Sequence, residues 1–149
     1  MFMRKLRILF SLDRRTLLLF AEAFGQLGLA KLQLLRPFAK VAKSLGDKRE
    51  ETPRDCGKEE LATLKRVSSA IGVMSRYTPW DSKCLVQAVA GMRMLERRRI
   101  SSTLYLGTAK DEQGKLIAHA WLRSGPLYVS GGEVRKQFVV VEMFARTAG

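Results

Sequence analysis

The chain is poor in the side chains that most often carry out chemistry, since its 149 residues include one histidine and two cysteines. A structural zinc site usually takes four cysteine or histidine ligands, which this inventory does not reach, so we expect neither a metal nor a cofactor. A membrane-spanning helix needs about 20 apolar residues. The most apolar stretch, residues 16–30, contains Glu22 and Gln26 and is bounded by Arg15 and Lys31, which predicts a buried or interfacial helix instead.

Acidic residues are also scarce: 14 Asp and Glu stand against 27 Lys and Arg, and the net charge is +13. Residues 1–43 hold nine of the basic and two of the acidic residues, which gives +7 for this part. Such a surface is either simply solvated or binds an acidic peptide or protein, an anionic membrane or a nucleic acid. Nucleic acid is the weakest of these candidates, because the sequence has no zinc-finger spacing, no RNP-like run and no basic motif interleaved with aromatic residues.

The first residues lack the features of a signal peptide. Arg4, Lys5 and Arg7 are followed by no long apolar run and no small-residue cleavage site. Together with the low cysteine content, this predicts a cytoplasmic protein with reduced thiols.

The first half of the chain has the apolar spacing of helices. A helical region is predicted from residue 12 to residue 45, with Asp13 as N-cap and a break at Pro37, because proline lacks an N–H and clashes with the preceding turn. Another helix is predicted over residues 58–74. We therefore predict three parts: a helical N-terminal arm at 1–46, a linker at 47–58 and a core at 59–149.

The core is predicted to continue with a helix and then a sheet. The helix covers residues 84–98 and is capped by Asp81 or Ser82, and its small residues indicate close packing on a sheet. A hairpin turn is predicted at Ser124 and Gly125. Helices followed by antiparallel strands make an α+β fold. The predicted strands lie at 103–108, 115–123, 126–130 and 137–143.

Cys84 and His119 are the candidate reactive residues. Cys84 opens the predicted helix, where the dipole and free N–H groups stabilise a thiolate, and its own N–H can stabilise an oxyanion. Lys83 adds positive charge beside it. His119, on a predicted strand, is the candidate base because the chain has no other imidazole. This order of residues is typical of papain-like and transglutaminase-like thiol enzymes.

Both residues also have a purely structural interpretation. A lone cysteine on an apolar helix is usually a small core residue. A lone histidine on a strand is usually a satisfied structural side chain. Cys56, in the polar linker before Gly57, is interpreted as an incidental exposed thiol.

Five short motifs occur in order: SRYTPW at 75–80, CLVQA at 84–88, ERRRI at 96–100, LYLG at 104–107 and AHAWL at 118–122. This combination resembles the lasso peptide leader peptidases, a family of the transglutaminase-like superfamily. The resemblance covers roughly residues 60–145, and the apolar N-terminal arm is also similar. It implies a transglutaminase-like or papain-like core, with the catalytic helix packed on the sheet, and a cysteine protease that removes the leader from a ribosomally made precursor. It also implies a separate leader-recognition (RRE) protein and a cyclase as partners.

By position, the resemblance implies that Cys84 is the nucleophile and His119 the base. The third catalytic residue of the family is an aspartate about a dozen residues after the histidine, and this chain has the sequence SGGE at 130–133 instead. Glu133 is the nearest acid. Symmetric pairing about the hairpin turn places Ser130 opposite His119. Three groups therefore stay open as the one that orients the imidazole: the Glu133 carboxylate, a hydroxyl and a backbone carbonyl.

Three further residues are predicted to bind the substrate. Trp80 either packs in the core or lines the cleft. Gln87, one turn after the cysteine, faces either the site or solvent. Trp121 alternates with Ala120 along the strand, so it shares the side of His119 and shields the reactive pair.

The sequence therefore predicts a cytoplasmic cysteine peptidase that acts on a leader peptide presented by a recognition protein. Two alternatives stay open: a non-catalytic transglutaminase-like peptide-binding module, and acyl or amide transfer by the same Cys-His pair. The basic, apolar arm fits docking to a partner protein or binding to a membrane surface. Docking is favoured, because the resemblance implies protein partners.

Overall fold

The chain folds as helices followed by an antiparallel sheet, which confirms the predicted α+β class. The computed structural model describes residues 13–147. In chain order its elements are α1 (Arg14–Gln33), α2 (Phe38–Ala42), β1 (Asp47–Lys48), α3 (Lys58–Met74), α4 (Cys84–Arg97), β2 (Ser102–Lys110), β3 (Leu116–Ser124), β4 (Leu127–Ser130), a 3-10 helix (Gly132–Gln137) and β5 (Val139–Arg146).

The helix break predicted at Pro37 is confirmed, because α1 ends before it and α2 begins directly after it. Asp13 occupies the N-cap position of α1 as predicted, but its carboxylate accepts a hydrogen bond from the Thr16 hydroxyl rather than from a backbone N–H. The predicted helix start at residue 12 lies outside the described residues. Within the part of the chain that the structure describes, no helix is long and apolar enough to cross a membrane.

The five strands form one sheet in the order β1-β5-β2-β3-β4, with every pairing antiparallel. The four predicted strands correspond to β2 to β5. The hairpin between β3 and β4 turns at Gly125 and Pro126, one residue later than predicted. The sequence prediction has no counterpart of β1, because two polar residues at a sheet edge carry no hydrophobic period.

Helices α3 and α4 pack on the sheet, and α1 packs on these two helices. Gly91 of α4 lies so close to β3 that an added Cβ would come within 2.8 Å of the Leu122 side chain. This contact confirms that the small residues of α4 allow close packing on the sheet. α1 adds to the same hydrophobic core, because its Ala23, Leu27 and Ala30 are fully buried there.

Glu22 fastens α1 to the end of α4. Its carboxylate accepts two hydrogen bonds from the Arg98 guanidinium, at 2.8 and 2.6 Å, and lies 3.3 Å from a guanidinium nitrogen of Arg97. The hydrogen bond from Arg98 is the main reason that the pKa of Glu22 lies below its ordinary value. The ion pair therefore holds α1 against the end of α4 that lies opposite Cys84.

Residues 47–58 are anchored to the sheet by a buried arginine. Arg123 is 1% exposed and donates hydrogen bonds to the carbonyls of Thr52, Pro53 and Gly125, at 2.7, 3.1 and 2.8 Å. These bonds fix the chain between β1 and α3 against the face of the sheet that lies away from the helices. The division into arm, linker and core stays a prediction, and the predicted linker is tied to the predicted core.

Candidate active site

Cys84 is the first residue of α4, as the sequence predicts. Lys83 holds the N-cap position with an extended backbone (φ −80°, ψ −173°), so the predicted capping by Asp81 or Ser82 is wrong. No side chain bonds to the first turn of the helix at this cap. The first N–H groups of a helix have no acceptor within it, so this end of α4 offers donors and a positive dipole to an anion at Cys84.

The loop before Cys84 is shaped by side-chain hydrogen bonds. The Thr78 hydroxyl lies 2.7 Å from the Ser82 hydroxyl and donates to the carbonyl of Trp80 at 3.0 Å. Gln87, one turn into α4, donates from Nε2 to the carbonyl of Ser82 at 2.8 Å. These bonds set the path along which the chain enters the helix, and thereby the position of Cys84.

Cys84 and His119 line one cleft of about 430 Å³. Its walls come from α3, from the start of α4 and from the chain that runs from β4 into the 3-10 helix. The Ser68 hydroxyl of α3 donates to the carbonyl of Val129 at 2.8 Å and joins two of these walls. The lining residues are Ser68, Gly72, Lys83, Cys84, Gln87, His119, Val129, Ser130, Gly131 and Glu133.

The imidazole of His119 is oriented by a backbone carbonyl. Its Nε2 lies 2.8 Å from the carbonyl oxygen of Gly131. A carbonyl only accepts, so Nε2 is the donor, and the neutral ring then carries its free lone pair on Nδ1. The ring also stacks between Phe138 and Trp121, with ring centroids 5.1 and 6.0 Å away. Within residues 13–147 no hydrogen bond joins the ring to the Cys84 thiol. The two side chains line the same cleft without a direct hydrogen bond between them.

Ser130 does not lie opposite His119, so that prediction is wrong. It pairs with Leu122, because the register shifts by a bulge between Leu122 and Arg123 and the hairpin turns one residue later. Ser130 is nevertheless 7% exposed and lines the cleft, and its hydroxyl has no hydrogen-bond partner within the described residues. Glu133 lines the cleft from the exposed first turn of the 3-10 helix, and the ring nitrogen bonds to Gly131 rather than to its carboxylate.

Gly131 is the residue that sequence reasoning missed. Its backbone is left-handed (φ 69°, ψ 8°), a conformation that glycine adopts without strain. An added Cβ would lie 2.5 Å from the carbonyl oxygen of Ala120 and 3.2 Å from Nε2 of His119. The glycine pair in the sequence was the available signal. It marks a place where the backbone itself approaches the histidine.

The predicted substrate-binding residues have different surroundings. Gln87 lines the cleft. Trp121 is buried and stacks on both Tyr105 and His119. This confirms that it lies on the same side of the strand as His119, where its ring packs against the imidazole. Trp80 lies outside the residues that line this cleft. It packs edge-on against Phe24 of α1, with ring centroids 5.1 Å apart.

The second thiol of the chain lies apart from the cleft. Cys56 was expected to be exposed, but it is half-buried, with its Sγ 3.1 Å from where a Cβ on Gly125 would lie. Burial, with the carboxylates of Glu60 and Asp55 adding to it, raises the pKa of this thiol. Among residues 13–147, no three histidine, cysteine or acidic side chains come together in a group that could hold a metal ion.

Comparison with known proteins gives one family. The family model described as transglutaminase-like superfamily matches residues 28–143, which is most of the chain and includes every residue of the cleft. No curated protein and no solved structure gives a significant match.

Proposed function

This chain belongs to the transglutaminase-like superfamily, which fits a cysteine peptidase or transferase, and on that basis we propose that it is a peptidase that removes the leader from a lasso peptide precursor. The observation that supports a thiol enzyme is that the cysteine at the start of α4 and the chain's one imidazole line the same cleft. The order of the sequence motifs around Cys84 and His119 supports the choice of substrate.

In the proposed reaction, the Cys84 thiolate attacks the carbonyl carbon of the scissile bond. The N–H groups at the start of α4 stabilise the oxyanion that forms. The intermediate collapses, the C–N bond breaks, and the imidazolium of His119 gives its Nδ1 proton to the leaving amine. A water molecule then attacks the thioester, Nδ1 takes its proton, and the C–S bond breaks to release the leader as a carboxylic acid.

The third role in this proposal belongs to the Gly131 carbonyl, with Glu133 as a minor contributor. The carbonyl bonds to Nε2 of His119, and this leaves Nδ1 available for the thiol. Glu133 is exposed and follows two glycines. Glu133→Gln should therefore reduce turnover modestly. A rate close to that of the unsubstituted protein would remove Glu133 from the site.

Site-directed variants test the assignment. Cys84→Ala and His119→Ala should each abolish cleavage of a leader-bearing precursor while the circular dichroism spectrum stays unchanged, because each removes one half of the reactive pair. Cys56→Ala is the matched control, since it deletes a thiol outside the cleft and should leave the rate nearly unchanged. A folded Cys84→Ala protein that still cleaves would refute the proposal.

Transfer rather than hydrolysis is the second candidate, because the superfamily includes transferases and the same acyl-enzyme could react with an amine. The two are separated by the mass of the released leader. Hydrolysis adds the mass of water to it, and transfer adds the mass of the acceptor. If Cys84→Ala binds the precursor and retains every measurable effect of the protein, the chain is a binding module instead.

The proposal places the protein in the cytoplasm and includes three partners: the lasso precursor, a leader-recognition protein that presents it and the lasso cyclase. Free leader is available at low effective concentration, so adding the recognition protein should accelerate cleavage. If the basic arm contributes, added salt should weaken this gain. The arm's cations at residues 4, 5 and 7 lie outside the described residues. Cleavage rate against partner concentration at two ionic strengths is the measurement, and an unchanged rate would remove the partner from the proposal.

A further inference from the structure

The outward face of α1 carries exposed leucines that no other described residue covers. Leu18, Leu29 and Leu32 of α1 and Leu35 just after it are 63%, 47%, 64% and 72% exposed. A surface helix normally turns a polar face to solvent, since its apolar stripe faces the core. In α1 the core-facing stripe is already used for packing on α3 and α4, so the exposed leucines form a second apolar face.

This second face contains a concave groove with the Trp80 ring as its floor. The groove measures about 450 Å³, and its other lining residues are Phe24, Gly25, Gly28, Leu29, Lys31 and Leu32. A Cβ added at Gly25 would meet no atom within 4 Å, and one added at Gly28 would lie 3.3 Å from the Trp80 ring. The two glycines thus deepen the groove and leave the tryptophan ring as its floor.

One cation, Lys31, is among the residues that line the groove. The described part of the arm carries Arg14, Arg15, Lys31, Arg36, Lys40 and Lys43, and none of these forms an ion pair within residues 13–147. Of the two acidic residues there, Glu22 is already engaged by Arg97 and Arg98. The groove is therefore apolar apart from Lys31, and it lies on an arm whose cations outnumber its carboxylates.

We propose that this groove binds an amphipathic helix of a partner protein, one with a leucine-like ridge flanked by carboxylates. A ridge of side chains at helical spacing fills a concave groove. Carboxylates on its flanks complement Lys31 and the net positive charge of the arm. A second copy of the chain is a poor occupant, because it would bring the same net positive charge. A bilayer surface matches the charge but presents no ridge for the groove.

The test uses a defined probe on the full chain. The probe is a fluorescein-labelled synthetic helix of about 20 residues, long enough to form in water, with leucines at i, i+3, i+4 and i+7 and glutamates on the flanks. Its counterpart has lysine in place of each glutamate. Fluorescence anisotropy should show that the glutamate helix binds at least about tenfold more tightly than the lysine helix, and that raising the ionic strength weakens its binding.

Variants locate the binding surface. Leu29→Asp and Leu32→Asp should each weaken binding of the glutamate helix by about tenfold or more, because each loses apolar contact and adds a repelling charge. Leu116→Asp is the matched control, since Leu116 is 66% exposed at the far end of β3 and should leave binding within about twofold, as expected for a residue remote from the groove. Thermal unfolding checks that all three variants are folded.

Three results overturn the proposal: equal affinity for the two helices, unchanged affinity in both groove variants, or dimerisation of the chain that Leu29→Asp abolishes. Sedimentation with vesicles of phosphatidylglycerol, and of phosphatidylcholine as control, gives a fourth. The anionic vesicles could capture the protein in a way that depends on Leu29 and Leu32, while the glutamate helix does not bind. That result would assign the face to a membrane. Because no precursor cleavage is measured, these outcomes are independent of the proposed peptidase activity.

Discussion

Gly131→Ala should damage both the stability of the protein and the orientation of His119. The left-handed backbone at this position costs an L-residue about 1–2 kcal/mol. The new Cβ would also lie 2.5 Å from the Ala120 carbonyl oxygen, a backbone atom that moves only if the strand moves. Overpacking of this kind costs about 1–3 kcal/mol. The free energy of unfolding should therefore fall by about 2–5 kcal/mol.

Gly114→Ala separates these two costs. Gly114 also has a positive φ, of 78°, but a Cβ there would meet no atom within 4 Å. Its variant should lose about 1–2 kcal/mol from backbone strain alone. Both substitutions change the unfolded chain in the same way, so that contribution cancels in the comparison. Urea unfolding of the two variants should then differ by about 1–3 kcal/mol, which is the cost of the contact with β3.

The same pair of variants tests the role of the carbonyl. If β3 and the Gly131 carbonyl move apart, the imidazole loses its hydrogen bond, and a displacement of about 1 Å in a reacting group can reduce a rate by about 100-fold. We expect precursor cleavage by Gly131→Ala to fall by about 10-fold to 100-fold, and cleavage by Gly114→Ala to stay within about twofold. Equal losses of stability would refute the steric argument. Unchanged cleavage by a folded Gly131→Ala protein would refute the orienting role.

Three further predictions follow from the described contacts. Glu22→Gln should lower the free energy of unfolding by about 1–2 kcal/mol at about pH 7. Because the folded-state pKa of Glu22 is lowered, this difference should vanish as the pH falls through that pKa. An effect that persists at about pH 2 would contradict the ion-pair explanation. Brief treatment with iodoacetamide at neutral pH should label Cys84 before Cys56, whose pKa is raised, and peptide mass mapping would detect the reverse order. Since the chain has one histidine, ¹⁵N NMR at alkaline pH should show a single neutral imidazole protonated at Nε2, and an Nδ1–H tautomer would be incompatible with the bond to Gly131.

Local signals in the sequence were sufficient to predict where the main helices lie. Residues 58–74 are helical as predicted, because the apolar period is strong and Glu59 and Glu60 in the first turn favour the helix N-terminus. The start of α4 at Cys84 was equally predictable, although the wrong residues were chosen as its cap. In these cases, interactions within a few residues decide the structure.

The surroundings of His119 could not be predicted in the same way. A bulge between Leu122 and Arg123 moved Ser130 away from the expected position, and the formation of a bulge depends on pairing across the whole hairpin. The group that orients the imidazole is a main-chain carbonyl, and every residue has one. The sequence could mark that position only through the glycine that the backbone conformation requires.

One short loop connects the cleft to the groove on α1. Trp80 forms the floor of the groove, while the hydrogen bonds of Thr78 and Gln87 to the same loop set the entry to α4 at Cys84. If occupation of one site changes the affinity of the other through this loop, the coupling free energy is the same in both directions, because equilibrium coupling is reciprocal. A reversible peptide bound beside Cys84 would then change the affinity of the groove for a helix by the same factor as the helix changes the affinity of the cleft for that peptide. The two surfaces would then be thermodynamically coupled, even though the candidate active-site cleft and the groove share no lining residue.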